Sequence, residues 1–349
     1  MNKKQSFDNL KRGLSQSFII SDEEYLYFGG TAYLGIPQNK KFIKLYTEGI
    51  ALYGLNNGTS RGNNVQLGIY NEAEEYAANK FGVEAALITS SGYLAAKLTV
   101  RICTRQKQVR YAPNTHPALW MDGKPEDNLN FVQWSQQIVA EINNSEIEDW
   151  VLLSNSINNL YPEIYDFGFI RNFKEDKKIT LIIDDSHGIG LINGGNSVLQ
   201  NLPQNTNVEI IIVASMAKAL GLDAGVILGT SKSISKLKQS EEFYGASPPA
   251  AAGLYAFINA EEIYRHSYEK LQENVKIFTQ QLTNKNEWHF VEDFPVFLSK
   301  QPNIEQRLLE RKILISSFPY PDRNGQNLNR IVLSSWHSET DILKLVTAL

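Results

Sequence analysis

The sequence predicts an α/β fold: a mostly parallel central sheet flanked by helices, with a smaller α+β lobe after it. Three observations carry that expectation. The first is a series of short, unbroken apolar runs through the middle of the chain, Ala85–Thr89, Val151–Ser154, Thr180–Ile183, Ile210–Ala214 and Val226–Leu228. Strands buried on both faces read this way, whereas half-exposed strands alternate. Most of the runs are bounded by Gly, Ser, Asn or Asp, the residues of turns. The second observation is helical periodicity between the runs. The third is a change of texture beyond residue 255, where strand-like and helix-like pieces are shorter and closer together.

Along the chain, residues 1–35 are expected as an N-terminal segment, 36–255 as a large domain and 256–349 as a small one, the boundary following Ser247-Pro248-Pro249. Gln66–Phe81 is expected as a helix, because Leu67, Tyr70, Ala73, Ala77, Ala78 and Phe81 share one face and Gly82 can stop it. The five runs then supply strands that need helices on both faces, and ligands of such sheets bind beyond the carboxyl ends of the strands. In the small domain, Trp288–Phe290, Val296–Leu298, Ile313–Ser316 and Arg330–Ser334 are expected strands, with a helix over Ile304–Arg311. A closing helix starts at Ser338, where Asp341 completes a capping box. Pro319-Tyr320-Pro321-Asp322-Arg323-Asn324-Gly325 is a loop by composition.

At 349 residues and 42% hydrophobic content, the chain can bury a full core in more than one lobe. A net charge of −4 implies no broad basic surface, which argues against a nucleic-acid partner. The single Cys103 excludes an intramolecular disulfide and fits a reducing compartment. The first residues lead into no apolar stretch of signal-peptide length, and no window reaches the roughly 18 uncharged apolar residues of a membrane helix. A cytoplasmic protein with no membrane partner and no metal is expected.

The chemistry gathers at the ends of two expected strands. Thr180–Ile183 runs into Asp184-Asp185-Ser186-His187, and Ile210–Ala214 runs into Ser215-Met216-Ala217-Lys218. An acid and an amine at such positions suit pyridoxal 5'-phosphate. Its aldehyde carbon needs a lysine for covalent attachment, and its pyridine nitrogen needs a carboxylate to stay protonated. Ser91-Gly92-Tyr93 follows another strand and opens a helix, so its free backbone N–H groups form an anion site for the phosphate. Gly92 lets the backbone approach that anion closely.

Five segments occur in order: Tyr33-Leu34-Gly35-Ile36, Tyr53-Gly54-Leu55-Asn56-Asn57-Gly58-Thr59-Ser60-Arg61, Ser91-Gly92-Tyr93-Leu94-Ala95-Ala96, Asp184-Asp185-Ser186-His187-Gly188-Ile189-Gly190, and the Ser215–Lys218 turn. Together they resemble the fold-type I pyridoxal-phosphate transferases, and within them the α-oxoamine synthase family of 8-amino-7-oxononanoate synthases and 2-amino-3-ketobutyrate CoA ligases. The resemblance implies that Lys218 holds the cofactor and carries a proton at the substrate α-carbon, and that Asp184 serves the pyridine nitrogen. It implies His187 on the ring's phenolic oxygen, His116 over the cofactor face, and Ser215 beside Ser91, Gly92 and Tyr93 at the phosphate. Arg330 matches an arginine that clamps the substrate carboxylate, for which a bidentate guanidinium is well shaped. A homodimer is also implied, with Gly58–Arg61 and Ala246–Pro249 reaching the neighbour's cofactor. Arg61 either braces its loop or makes a dimer contact, and Asp185 is expected to be structural.

The chain departs from the family pattern at substrate-facing positions. Thr31-Ala32 replace an Asn-Asp pair, Asn155 stands where a glutamate belongs, and Asn159 stands where a serine does. Ser316-Ser317-Phe318-Pro319-Tyr320-Pro321 lacks the arginine of the family's Pro-rich loop. The expected function is condensation of a small amino acid with an acyl-CoA thioester. A class I/II aminotransferase passing the amino group to a 2-oxo acid is the rival, and a cofactor-binding protein with a structural or regulatory role is a third reading.

Overall fold

The computed structural model describes residues 7, 9–126, 129–320 and 324–349. Residues 321–323 of the expected loop, and all but Phe7 of the first eight residues, lie outside the described residues. Each of the five apolar runs is a strand. Four extend past the run, as Asp149–Asn155, Lys178–Asp184, Val208–Ser215 and Gly225–Gly229, because polar end residues keep the backbone ladder going. With Gln108–Tyr111 at one edge they form a six-stranded sheet, ordered Ala85–Thr89, Gly225–Gly229, Val208–Ser215, Lys178–Asp184, Asp149–Asn155, Gln108–Tyr111. Five strands run the same way, and Gly225–Gly229 is antiparallel to both its neighbours.

Both faces of this sheet are covered. Ile212, Ala214, Ile183 and Leu152 face one core, shared with Ala73, Ala77 and Phe81 of the helix Ile69–Phe81. Ile211, Val213, Leu153 and Leu87 face a second, shared with Ala95, Ala96 and Val100 of the helix Gly92–Cys103. Register then decides where the chemistry falls. Asn155 lies beside Asp184, Asp184 beside Val213, and Ser215 beside Gly225, which lies beside Thr89. The acid, the lysine turn and the Ser91 turn therefore meet on one edge of the sheet.

The second sheet is ordered Ser17–Ile20, Glu23–Phe28, Ile313–Pro319, Asn327–Val332, Val296–Ser299, Trp288–Phe290. It is antiparallel except where Glu23–Phe28 runs parallel to Ile313–Pro319. An early hairpin thus completes a late sheet. Its turn is Ser21-Asp22, both at positive φ (51° and 64°), the conformation that matches strand twist in two-residue hairpins.

Several boundaries differ from expectation, and the strand expected at Ile313–Ser316 runs on to Pro319, the first residue of the expected loop. The helix expected from Gln66 begins at Ile69, because Gln66 turns its side-chain amide back onto the carbonyls of Ser60 and Asn63. The strand expected at Arg330–Ser334 runs Asn327–Val332. Pairing with Ile313–Pro319 aligns Leu328 with Phe318 and Arg330 with Ser316, and Ser334 then leaves the sheet to bond the Ala32 carbonyl. The helix Lys40–Tyr53, absent from the sequence reading, packs on Ala251–Ile258, where Gly49 brings its backbone against Ala252. The Ser338–Asp341 capping box is formed. No helix of the described residues is long and apolar enough to cross a membrane.

Candidate active site

Asp184 ends its strand almost buried, and its Oδ1 accepts the Ser186 N–H at 3.0 Å. The Ser186 hydroxyl in turn accepts the Ser215 N–H at 2.8 Å, pinning two strand ends together. Beside them a cavity of about 170 Å³ is lined by Asp184, His187, Lys218, His116, Asn159 and Arg330 among others. Burial pushes the Lys218 amine below the usual lysine range, and the Asp184 carboxylate pulls the other way. The direction favours a neutral, nucleophilic amine.

His116 begins a short turn whose helical geometry Pro117 pre-sets. Its Nδ1 accepts the Ala118 N–H at 3.2 Å and stands 4.0 Å from Asp184 Oδ2. Burial lowers its pKa, so the ring is neutral at pH 7 and that contact is not an ion pair. The side chain is about half exposed, and that exposure is to the cavity it lines. Asn155 holds the loop in place: its Oδ1 accepts the His116 N–H at 3.0 Å and its Nδ2 donates to the Asn114 carbonyl at 2.6 Å. A neutral amide can both donate and accept here, which a carboxylate could not.

Arg330 is 4% exposed. Its Nη1 donates to the Asn159 carbonyl at 2.9 Å and its guanidinium carbon lies 5.2 Å from the centre of the Phe318 ring. Its Nε has no partner, and among the described residues no carboxylate forms an ion pair with it. Burial lowers its pKa, but a guanidinium stays charged, so the cavity wall carries an uncompensated cation. Such a group is built to meet an anion.

The four residues expected at the phosphate sit together but off the cavity wall. Ser91 caps the helix Gly92–Cys103, its hydroxyl accepting the Leu94 N–H at 3.2 Å. A methyl group on Gly92 would lie 2.5 Å from Ser215 Cα, and one on Gly225 would lie 2.2 Å from the Ser91 carbonyl oxygen. Two glycines thus let the helix start nest against Ser215, whose hydroxyl accepts the Ala217 N–H at 3.3 Å. The Tyr93 ring is exposed, with the Lys97 ammonium 5.7 Å from its centre. An amine, an acid, a neutral histidine and a glycine-shaped anion nest are the donor set pyridoxal phosphate requires, so the residues fit that cofactor.

Two further charged residues are held within the fold. Asp185 is fully buried, its Oδ2 accepts the Val198 N–H at 3.0 Å, and burial pushes its carboxyl up to about 7. Arg61 pairs with buried Glu74 at 3.0 Å and lies between the rings of Tyr70 and Phe243, so within this chain it braces its loop. Sequence reasoning missed Tyr33 as a site residue. Its hydroxyl lies 2.9 Å from Nδ1 of His187, a contact across 154 positions that no spacing could announce. It also missed Ser186 and Asn155, although Asn155 was marked by its departure from the family pattern.

The aminotransferase class I and II family model matches residues 33–349. The chain is 26% identical over 357 residues to a putative 8-amino-7-oxononanoate synthase of Methanococcus aeolicus, covering 97% of this chain and 92% of that one. It is 22% identical over 344 residues to an 8-amino-7-oxononanoate synthase of Thermosipho melanesiensis, covering 93% and 87%. Among solved structures, Sphingomonas wittichii serine palmitoyltransferase superposes with a TM-score of 0.81 at 14% identity, over 97% of this chain and 90% of that one. An 8-amino-7-oxononanoate synthase from Francisella tularensis gives 0.69 at 18% identity, over 93% and 96%. At these identities the solved structures share the fold.

Proposed function

The chain belongs to the aminotransferase class I and II family, and from that premise we propose that this pyridoxal-phosphate-dependent transferase is an α-oxoamine synthase joining a small amino acid to the acyl group of an acyl-CoA. The observation that carries the reading is the company Arg330 keeps: a buried guanidinium with an unpartnered Nε shares one cavity with Lys218 and Asp184. An amino acid's carboxylate is the anion that would both satisfy Arg330 and bring an α-carbon to Lys218. Relatives named for 8-amino-7-oxononanoate synthesis, aligned over nearly the whole chain, support acyl transfer rather than amino transfer.

The cofactor, when bound, supplies an electron sink for negative charge at the substrate α-carbon. Lys218 would hold the cofactor through its aldehyde carbon, and its amine would serve as the proton carrier at the substrate α-carbon. Asp184 would keep the pyridine nitrogen protonated, His187 would donate to the phenolic oxygen, and His116 would lie at the ring. Ser91, Gly92, Tyr93 and Ser215 would hold the phosphate. The deprotonated α-carbon would attack the thioester carbonyl and expel the CoA thiolate, the amino acid's carboxylate would depart as carbon dioxide, and Lys218 would return a proton to the α-carbon it left. The reading includes a cytoplasmic homodimer. Exposed Leu52, Leu55, Val65 and Tyr244, around Gly58–Arg61 and Ala246–Pro249, are apolar surface that a second copy would cover.

The test is a thiol-release assay on the purified holoenzyme with a panel of amino acids and short and long acyl-CoAs. Free CoA thiol is expected, with no amino transfer to 2-oxo acids. Silence across the panel, together with amino transfer to pyruvate or 2-oxoglutarate, would hand the function to the aminotransferase reading.

A further inference from the structure

Arg330 is held from two sides, and only one of them is a hydrogen bond. Its Nη1 donates to the Asn159 carbonyl at 2.9 Å, while the centre of the Phe318 ring lies 5.2 Å from its guanidinium carbon. Arg330 is paired with Ser316 and Phe318 with Leu328, so the two side chains are diagonal neighbours on one face of the sheet, within reach of long and aromatic groups. Both line the cavity. We propose that Phe318 is a positioning residue for the substrate carboxylate. Its ring covers one face of the Arg330 guanidinium, holds it in place and leaves the Nε edge of the fork open to the anion. The inference rests on the amino-acid site proposed above and deepens it.

Exposure gives the order of the layers. Arg330 is 4% exposed and Phe318 37%, so the cation is the inner member of the contact and the ring the outer one. An aromatic face attracts a guanidinium within about 6 Å, and more strongly as water is excluded. The attraction is through the face, so it consumes none of the five N–H donors, which lie in the guanidinium plane. A polar side chain in the same place would take one or more of them. With Nη1 committed to Asn159 and Nε without a partner, an edge of the fork is kept for the two parallel bonds a carboxylate makes. The backbone is stiff where the ring stands. Phe318 lies within the strand Ile313–Pro319 and directly precedes Pro319, which restricts it to extended conformations.

The test uses the holoenzyme and follows the bound cofactor's visible absorbance on titration with glycine, L-alanine and L-serine. Ethylamine serves as a probe without a carboxylate. Phe318→Leu keeps an apolar side chain and removes the ring face. Its Kd for the amino acids is expected to rise about threefold to tenfold, the effect of one cation–π contact, while ethylamine binds as in the wild type. Phe318→Tyr restores the ring and is expected to recover amino acid affinity. In turnover the loss falls on the amino acid's KM and leaves kcat unchanged. Adding Phe318→Leu to Arg330→Ala is expected to weaken amino acid binding no further, because the ring acts through the guanidinium. A purely structural role would lower the melting temperature and weaken ethylamine and amino acids alike. An unchanged amino acid Kd in Phe318→Leu, a loss shared by ethylamine, no recovery in Phe318→Tyr, or a double variant weaker than Arg330→Ala overturns the proposal. Arg330→Ala by itself separates the two levels of the reading. Wild-type affinity in that variant sinks the carboxylate clamp on which the proposed function rests, whereas weakened binding there with none in Phe318→Leu sinks only the role of Phe318.

Discussion

Gly92→Ala isolates the nest between the helix Gly92–Cys103 and Ser215. The substitution suits the backbone, for Gly92 is helical and alanine is favoured there by no more than about 1 kcal/mol. Packing opposes it. The new methyl would lie 2.5 Å from Ser215 Cα, 2.6 Å from its Cβ and 2.7 Å from its N, against 3.4 Å for ordinary contact. These are main-chain atoms or fixed to them, so no rotamer relieves the clash and the two segments must part by about an ångström. Overpacking of this kind costs about 1–3 kcal/mol, which leaves a net loss of up to roughly 2 kcal/mol after a helix gain of about 1 kcal/mol. Cofactor binding should suffer more. Charge-assisted bonds from displaced N–H groups to a phosphate are worth about 1.5–3 kcal/mol, or roughly 10-fold to 150-fold in Kd. Thermal unfolding of the apoprotein and fluorescence titration with pyridoxal phosphate measure the two effects. Gly229→Ala, whose methyl would make only ordinary contacts of 3.7 Å or more, is the control and should leave cofactor affinity unchanged. A Gly92→Ala protein with lowered melting temperature and wild-type cofactor affinity would refute the claim that this nest holds the phosphate.

Asp184→Asn should retain the cofactor but slow hydrogen–deuterium exchange at a bound amino acid's α-carbon by about 10-fold to 100-fold, since the lost charge partner lets the pyridine nitrogen deprotonate. Exchange at the wild-type rate, followed by NMR, would assign Asp184 another task. Arg330→Ala should raise the KM for the amino acid by about 2–4 kcal/mol, thirtyfold or more, while stability holds or improves because a buried cation is removed. An unchanged KM would show that the carboxylate binds elsewhere. Asp185 ties stability to pH. Its folded pKa of about 7 lies above the unfolded value of 3.8, so its contribution is intact below about pH 4 and is lost as pH rises through 7. The shift corresponds to an upper bound of about 4 kcal/mol. Urea midpoints should therefore fall more between pH 5 and 8.5 in the wild type than in Asp185→Asn, and equal falls would contradict the assignment.

The central strands were legible because burial on both faces leaves an unbroken apolar run, and the site was legible because an acid and an amine ended two such runs. Direction was not. Gly225–Gly229 reads like its parallel neighbours, since an apolar run carries no arrow, yet its reversal is what sets Gly225 beside Ser215 and Ser91. The Ser17–Phe28 hairpin was missed for two reasons. Ser21-Asp22 lacks the glycine that usually signals a two-residue turn, and the strand it pairs with lies nearly three hundred residues on. Arg330 could be placed on a strand but not in register, because pairing with Ser316 is a tertiary matter. The contact from Tyr33 to His187 joins two distant segments by a single side-chain bond, which leaves no periodic trace.

The parallel pairing of Glu23–Phe28 with Ile313–Pro319 also sets a timetable. Leu26 bonds the carbonyl of Lys312, Gly30 bonds the Ser316 hydroxyl, and Ala32 is held by Ser334. At about 5–20 residues per second, a ribosome needs roughly 15–60 s to travel from the first of these segments to the last. Throughout that interval the hairpin presents an unpaired edge, the kind of surface that chaperones guard and aggregates exploit. Closing so long a loop is slow, and it is the step that anchors the stretch carrying Tyr33. The large sheet can thus assemble around Asp184 and Lys218 well before Tyr33 is seated against His187. Loss of residues 17–28 would leave every cofactor-facing side chain in the sequence but remove the strand that ties the stretch carrying Tyr33 to the late sheet.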